Sequence, residues 1–182
     1  MELIISSKGH KYTVTDKKGR TLYSVKKKGF GAGRYVLLDA SNYHLYSLTS
    51  VGEERKPAFN ISHNDRGIIA LTCKSMFLDP TIIVKGKDTS GTEVHYALAS
   101  KDHRNFSILI PQTEKEEEEK DENENENEET SEDEGKVGSI KTMLTPSGDF
   151  QYELEIENKI FDDFIPLFAV AIDLAFADMN RG

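Results

Sequence analysis

The stretch that decides the fold is FDDFIPLFAVAIDLAF, Phe161 to Phe176. Its large side chains point in every helical direction and leave no polar stripe, and a helix that is hydrophobic all round must be wrapped on all sides. The sequence predicts this central helix over residues 160–179. Asp162 or Asp163 is placed to cap it, with Pro166 in the first turn, where a missing N–H costs nothing. A membrane is the other environment that wraps an apolar helix. Fourteen residues from Phe164 to Ala177, interrupted by Asp173, fall short of the roughly 20 needed to span a bilayer. The wrapping therefore has to come from the rest of the chain.

What precedes the helix is a succession of short runs rich in Val, Ile, Thr, Tyr and Phe, separated by turns about every ten residues, the pattern of antiparallel β proteins. The turns are DKKG at 16–19, DASN at 39–42, HNDRG at 63–67, KDTSG at 87–91 and TPSG at 145–148. Asp and Asn caps with Gly at the left-handed position let each reverse the chain. Twelve strands are expected, near 2–5, 10–16, 20–27, 33–39, 43–50, 57–62, 67–73, 81–86, 92–99, 104–110, 136–145 and 149–157. Several alternate, such as Tyr152, Leu154 and Ile156 against Glu153, Glu155 and Glu157, which gives a sheet one dry and one wet face. A twelve-stranded sheet of this kind removes its edges by closing, and its interior is too wide for strand side chains alone to fill. The fold class is thus mainly β: one domain, residues 1–182, forming a closed twelve-stranded antiparallel barrel around a hydrophobic C-terminal helix.

The net charge of -9 is concentrated in one segment. Glu114 to Glu134 holds fourteen acidic residues and two lysines, leaving 21 basic against 18 acidic residues elsewhere. Residues 114–135 contain no apolar side chain and are expected to be a disordered acidic insertion between two strands. Within Met1–Lys56 the balance is reversed, with eleven basic and five acidic residues. The single cysteine, Cys73, forms no internal disulfide, which fits a reducing, cytoplasmic setting. MELIISSKGHKY has neither the basic start nor the apolar core of a secretory leader.

Two stretches, YTVTDKKGRTLYSVKKK (Tyr12–Lys28) and YVLLDASNYHLYSL (Tyr35–Leu48), resemble the opening hairpins of the LURP-one-related proteins. Val14-Thr15-Asp16 with Gly19 carry the first likeness. Leu38-Asp39 carry the second, with Asn42 where a glycine is usual. The closing IFDDFIPLFAVAIDLAF is similar to that family's terminal helix. The resemblance implies the tubby C-terminal-like fold shared with phospholipid scramblases, a twelve-stranded barrel around a hydrophobic helix. It says little about activity, because function belongs to sites rather than to folds.

The leading candidate site is KKKGFGAGR, with Lys26, Lys27, Lys28, Phe30 and Arg34. Clustered cations engage an anionic membrane surface or a phosphorylated ligand, and an aromatic seats itself at the interface. Tubby-like domains bind phosphoinositides, so the resemblance points the same way, but no family residue carries over to a position here. The competing reading of KKKGFGAGR is a solvated hairpin loop. Its glycines run G-x-G-x-G with Arg34 in the sixth position and a strand following, so it is no dinucleotide fingerprint. The acidic run is expected to be a solvated tail; the alternatives are that it binds cations, weakly for want of a fixed cage, binds a basic protein partner, or folds back and masks Lys26–Lys28. Asp173 is expected near a barrel mouth, accepting hydrogen bonds from strand-end amides; the alternative is a lumenal proton or cation site. The histidines 10, 44, 63, 95 and 103 show no metal spacing, and there is no nucleophile elbow or Cys/His pair. The sequence is read as a non-enzymatic binding module with no cofactor and no nucleic-acid partner, recognising anionic lipid. The alternative is a protein-interaction scaffold using the barrel surface and the acidic run. Scramblase-like transport is disfavoured by the helix's length and by Asp173.

Overall fold

The computed structural model describes residues 1–31, 33–111 and 135–181. Twelve strands run in chain order: β1 (Glu2–Lys8), β2 (Lys11–Asp16), β3 (Thr21–Lys28), β4 (Arg34–Asp39), β5 (His44–Ser50), β6 (Ala58–His63), β7 (Arg66–Ser75), β8 (Thr81–Lys87), β9 (Glu93–Ser100), β10 (Asn105–Leu109), β11 (Lys136–Leu144) and β12 (Phe150–Ile156). Each pairs antiparallel with its chain neighbours, and β12 closes the ring on β1 with Leu3 opposite Leu154 and Ile5 opposite Tyr152. Closure leaves no free edge.

The last element, α1 (Pro166–Arg181), fills the ring. Leu167, Phe168, Ala169, Val170, Ala171 and Ile172 are all fully buried, as the absence of a polar stripe requires. Inward-facing strand residues such as Ile5, Val14, Val25, Leu37, Leu48, Ile61, Leu71, Val84, Leu98, Ile108 and Ile140 surround them. No helix among the described residues is long and apolar enough to cross a membrane.

The helix begins at Pro166, six residues later than expected. Residues 157–165 instead form tight turns, in which Ile160 N–H donates to the Glu157 carbonyl and Ile165 N–H to the Asp162 carbonyl. Pro166 is the first helical residue, where its lack of a donor is harmless. Asp162 serves the turn before the helix: burial pushes its carboxyl up, opposed by the N–H groups of Phe164 and Asp163.

Alternating strand direction sorts the connections into two sets. The links β2–β3, β4–β5, β6–β7, β8–β9 and β10–β11, with Met1 and the entry to α1, lie at one end, called here the entry end. The other six hairpins and the last turns of α1 lie at the exit end. Three entry-end turns repeat one device. Asp16, Asp39 and Asp88 each use Oδ1 to accept two backbone N–H groups, at 2.8–2.9 Å. Asn42 adopts φ 64°, so it does the work of the usual glycine. In HNDRG the left-handed residues are Asn64 and Asp65 (φ 48° and 60°), not the glycine.

Asp173 lies inside the barrel and is 7% exposed. Its partners are phenols: Tyr12 Oη donates to Oδ2 at 2.6 Å, and Tyr152 Oη donates to Oδ1. The expected strand-end amides do not serve it, because in a closed barrel those donors are already engaged in the ladder. The expectation of a disordered insertion over 114–135 falls, apart from Gly135, outside the described residues.

Candidate functional site

Lys26, Lys27 and Lys28 end β3, and Arg34 starts β4, so KKKGFGAGR is one hairpin at the exit end. Its glycines 29, 31 and 33 have φ 85°, 73° and 71°, a conformation in which a Cβ is strained. At Gly33 a Cβ would also meet Lys27, 2.4 Å from Cε. The glycines therefore let the chain reverse tightly while the Lys27 stem lies across it. Phe30, at the tip, is wholly exposed.

Three consecutive lysines on a strand do not share a face, because side chains alternate. Val25 is buried in the lumen, so Lys26 and Lys28 point to the outer wall, and both are exposed. Lys27 takes the inward parity, opposite the buried Tyr35, and is half-buried at the rim. Arg34 stands opposite Lys28 on the outer wall. Its Nε donates to Ser47 Oγ at 2.8 Å, and its guanidinium pairs with Asp65 at 2.8 Å. That ion pair is exposed and weak. The structure thus gathers Lys26 and Lys28 on one face, keeps Phe30 at the tip, and sets Lys27 and Arg34 to either side.

Strand pairing adds two residues that sequence reading passes over. Lys8 of β1 stands opposite Lys11 of β2, and Lys11 stands opposite Lys26. The three form an exposed outer-face row across adjacent strands. Like charges in direct register oppose folding. Neither hairpin segment, 8–11 or 26–34, contains an acidic residue. Among the described residues no ion pair involves Lys8, Lys11, Lys26 or Lys28. The only sequence signal for the row is three lysines near consecutive strand ends, and it becomes visible once the register is known.

Other chemistry is sparse. Among the described residues no group of three His, Cys, Asp or Glu side chains is placed to hold a metal. Cys73 is buried and its thiol is pushed up by that burial. Its Sγ donates to the Ser75 carbonyl at 3.1 Å. At the entry end, Tyr23 Oη donates to Asp163 Oδ1 at 2.5 Å and Tyr46 Oη donates to Asp162 at 3.4 Å. These contacts fasten the helix entry to the wall.

A family model described as LURP-one-related matches residues 1–173. Among curated proteins nothing matches significantly. Among solved structures, the chain is similar to an X-ray structure of a protein from Arabidopsis thaliana, with a TM-score of 0.53 and 15% identity. The match covers 99% of this chain and 92% of that one. At that identity the likeness concerns the fold alone.

Proposed function

This chain belongs to the LURP-one-related family, and from that premise we propose that it is a non-enzymatic binding barrel that docks on anionic lipid headgroups. Lys26, Lys27, Lys28 and Arg34 supply the charge around the Phe30 loop, and Lys8 and Lys11 extend it. The observation that carries this reading is the row Lys8–Lys11–Lys26, in direct register and without an ion pair among the described residues. Such a row costs folding stability, and an anionic surface turns that cost into binding energy. Each basic residue near an anionic leaflet contributes about 1 kcal/mol. The three exposed lysines of the row therefore shift partitioning by roughly two orders of magnitude. A reducing, cytoplasmic setting fits the free Cys73, and docking on headgroups makes the attachment peripheral.

A second reading, a scaffold for a basic protein partner, draws on the acidic segment. The segment's attachment points, Ile110 and Gly135, are joined by an N–H···O bond of 2.8 Å and lie at the entry end, away from the lysine row. A partner held there would leave the row open.

Co-sedimentation with phosphatidylcholine vesicles, with and without phosphatidylserine, tests the first reading. Binding is expected only to the anionic vesicles, is expected to fall steeply with salt, and should vanish in Lys26→Glu/Lys28→Glu. Competition by soluble inositol trisphosphate separates a free phosphate ligand from a membrane surface. Absence of binding at low salt, both by the full chain and by a form lacking residues 114–134, refutes the lipid reading.

A further inference from the structure

The exit end carries the most exposed apolar side chains of the described residues. Phe30 is 104% exposed, Leu78 84% and Phe77 75%. Phe30 tips the β3–β4 hairpin, while Phe77 and Leu78 tip the β7–β8 hairpin. Only the β5–β6 hairpin separates them around the ring, and its Val51 is also exposed. The β5–β6 loop carries Glu53 and Glu54 balanced by Arg55 and Lys56, so it adds no net charge. Between this loop and Phe77 the last turns of α1 reach the surface with Leu174, which is 37% exposed. At the entry end the comparable side chains are Met1, Tyr43 and Ile110, each on its own.

The β7–β8 loop is built to hold its apolar tips outward. Three of its carbonyls already have donors: His103 Nε2 donates to the Met76 carbonyl at 2.7 Å, Ser75 Oγ to the Leu78 carbonyl, and Thr81 Oγ1 to the Asp79 carbonyl at 2.9 Å. Those three carbonyls need no water partner, so they add nothing to the cost of leaving water. Folding alone gives no reason to fix Phe77 and Leu78 in solvent.

We infer that the exit end is a bilayer-insertion face, in which Phe30, Phe77 and Leu78 enter the interface while the lysine row, on the outer wall of β1–β3 beside the Phe30 hairpin, meets the headgroups. The inference rests on the lipid reading above and adds an orientation, with the barrel standing on its exit end, and two residues outside the basic hairpin. Separate convex tips suit a fluid interface, which needs no matching shape, better than they suit a protein surface. Charge agrees with that orientation, since the lysine row borders the exit end and the acidic segment is attached at the entry end.

The chain contains no tryptophan, so single-tryptophan variants report insertion directly. With phosphatidylcholine–phosphatidylserine vesicles, Phe77→Trp and Phe30→Trp should blue-shift and be quenched by brominated acyl chains. Tyr43→Trp at the entry end should do neither. Phe77→Ser/Leu78→Ser, with circular dichroism confirming the fold, should weaken vesicle partitioning at least tenfold. If the protein pellets with anionic vesicles while the tryptophans at 30 and 77 stay in water, or while position 43 is the one quenched, the insertion face is overturned and lysine-driven adsorption stands. If nothing pellets, both fall.

Discussion

Replacing Asp173 with leucine removes the acceptor shared by Tyr12 and Tyr152, and its cost can be worked from the structure. Both phenols are almost completely buried, and both donate to the carboxylate. A hydrogen bond to a charged group contributes about 1.5–3 kcal/mol, so two are worth about 3–6 kcal/mol. Leucine returns part of this, because it no longer buries a carboxylate, and roughly 1–2 kcal/mol is a fair allowance. The expected loss is therefore about 2–4 kcal/mol. That is a large share of the 5–15 kcal/mol typical of a folded domain, and corresponds to a fall in Tm of roughly 5–15 °C at this size. Asp173→Asn keeps the shape and one acceptor, and should cost about half as much. Urea unfolding followed by far-ultraviolet circular dichroism measures each value. The decisive comparison is a cycle with Tyr12→Phe/Tyr152→Phe. If the phenols act through Asp173, adding Asp173→Leu to that pair costs much less than it does alone. An Asp173→Leu protein within about 0.5 kcal/mol of the parent, or a cost that adds in full to that of the phenylalanine pair, would mean that the two phenols do not act through Asp173.

Two further predictions come from the entry end and the glycine loop. Burial, then the Asp162 and Asp163 carboxylates, push the Tyr46 phenol up to about 12, and burial with the Asp163 hydrogen bond raises Tyr23 as well. A raised phenol pKa means that the folded state holds its proton longer than the unfolded chain does. This contribution to stability is therefore complete below pH 10 and declines as pH climbs from 10 toward 12. Chemical denaturation across that range, with tyrosinate absorbance recorded in parallel, should show the decline, and Tyr46→Phe should flatten it. At Gly33, alanine must adopt φ 71° and displace the Lys27 stem. Gly33→Ala should cost about 1–2 kcal/mol in urea unfolding, whereas Gly67→Ala, in open space at an ordinary φ, should be nearly neutral.

The architecture was legible because its causes are local. Alternation along β12, Asx turns at Asp16, Asp39 and Asp88, and a helix with no polar face are statements about near neighbours in the chain. The twelve strands and the barrel follow from them. The sequence starts the helix six residues early because Ile160, Phe161, Phe164 and Ile165 continue its apolar run, and only the hydrogen bonds distinguish turns from helix. MFLDP, at 76–80, lies between the expected strands 67–73 and 81–86, and only the structure shows that it leaves Phe77 and Leu78 in solvent.

By itself the sequence determined that the barrel must close, that its plug is the C-terminal helix, and that the basic and acidic charge are segregated along the chain. Only the tertiary structure decided who meets whom across the sheet. Lys8, Lys11 and Lys26 come into one row because three strands share a register, and Lys27 leaves that row because side chains alternate. Tyr12 reaches Asp173 across 161 positions of chain. Periodicity is fixed by bonds between neighbouring residues, whereas register and the pairing of distant side chains are fixed only when the ring closes around its helix.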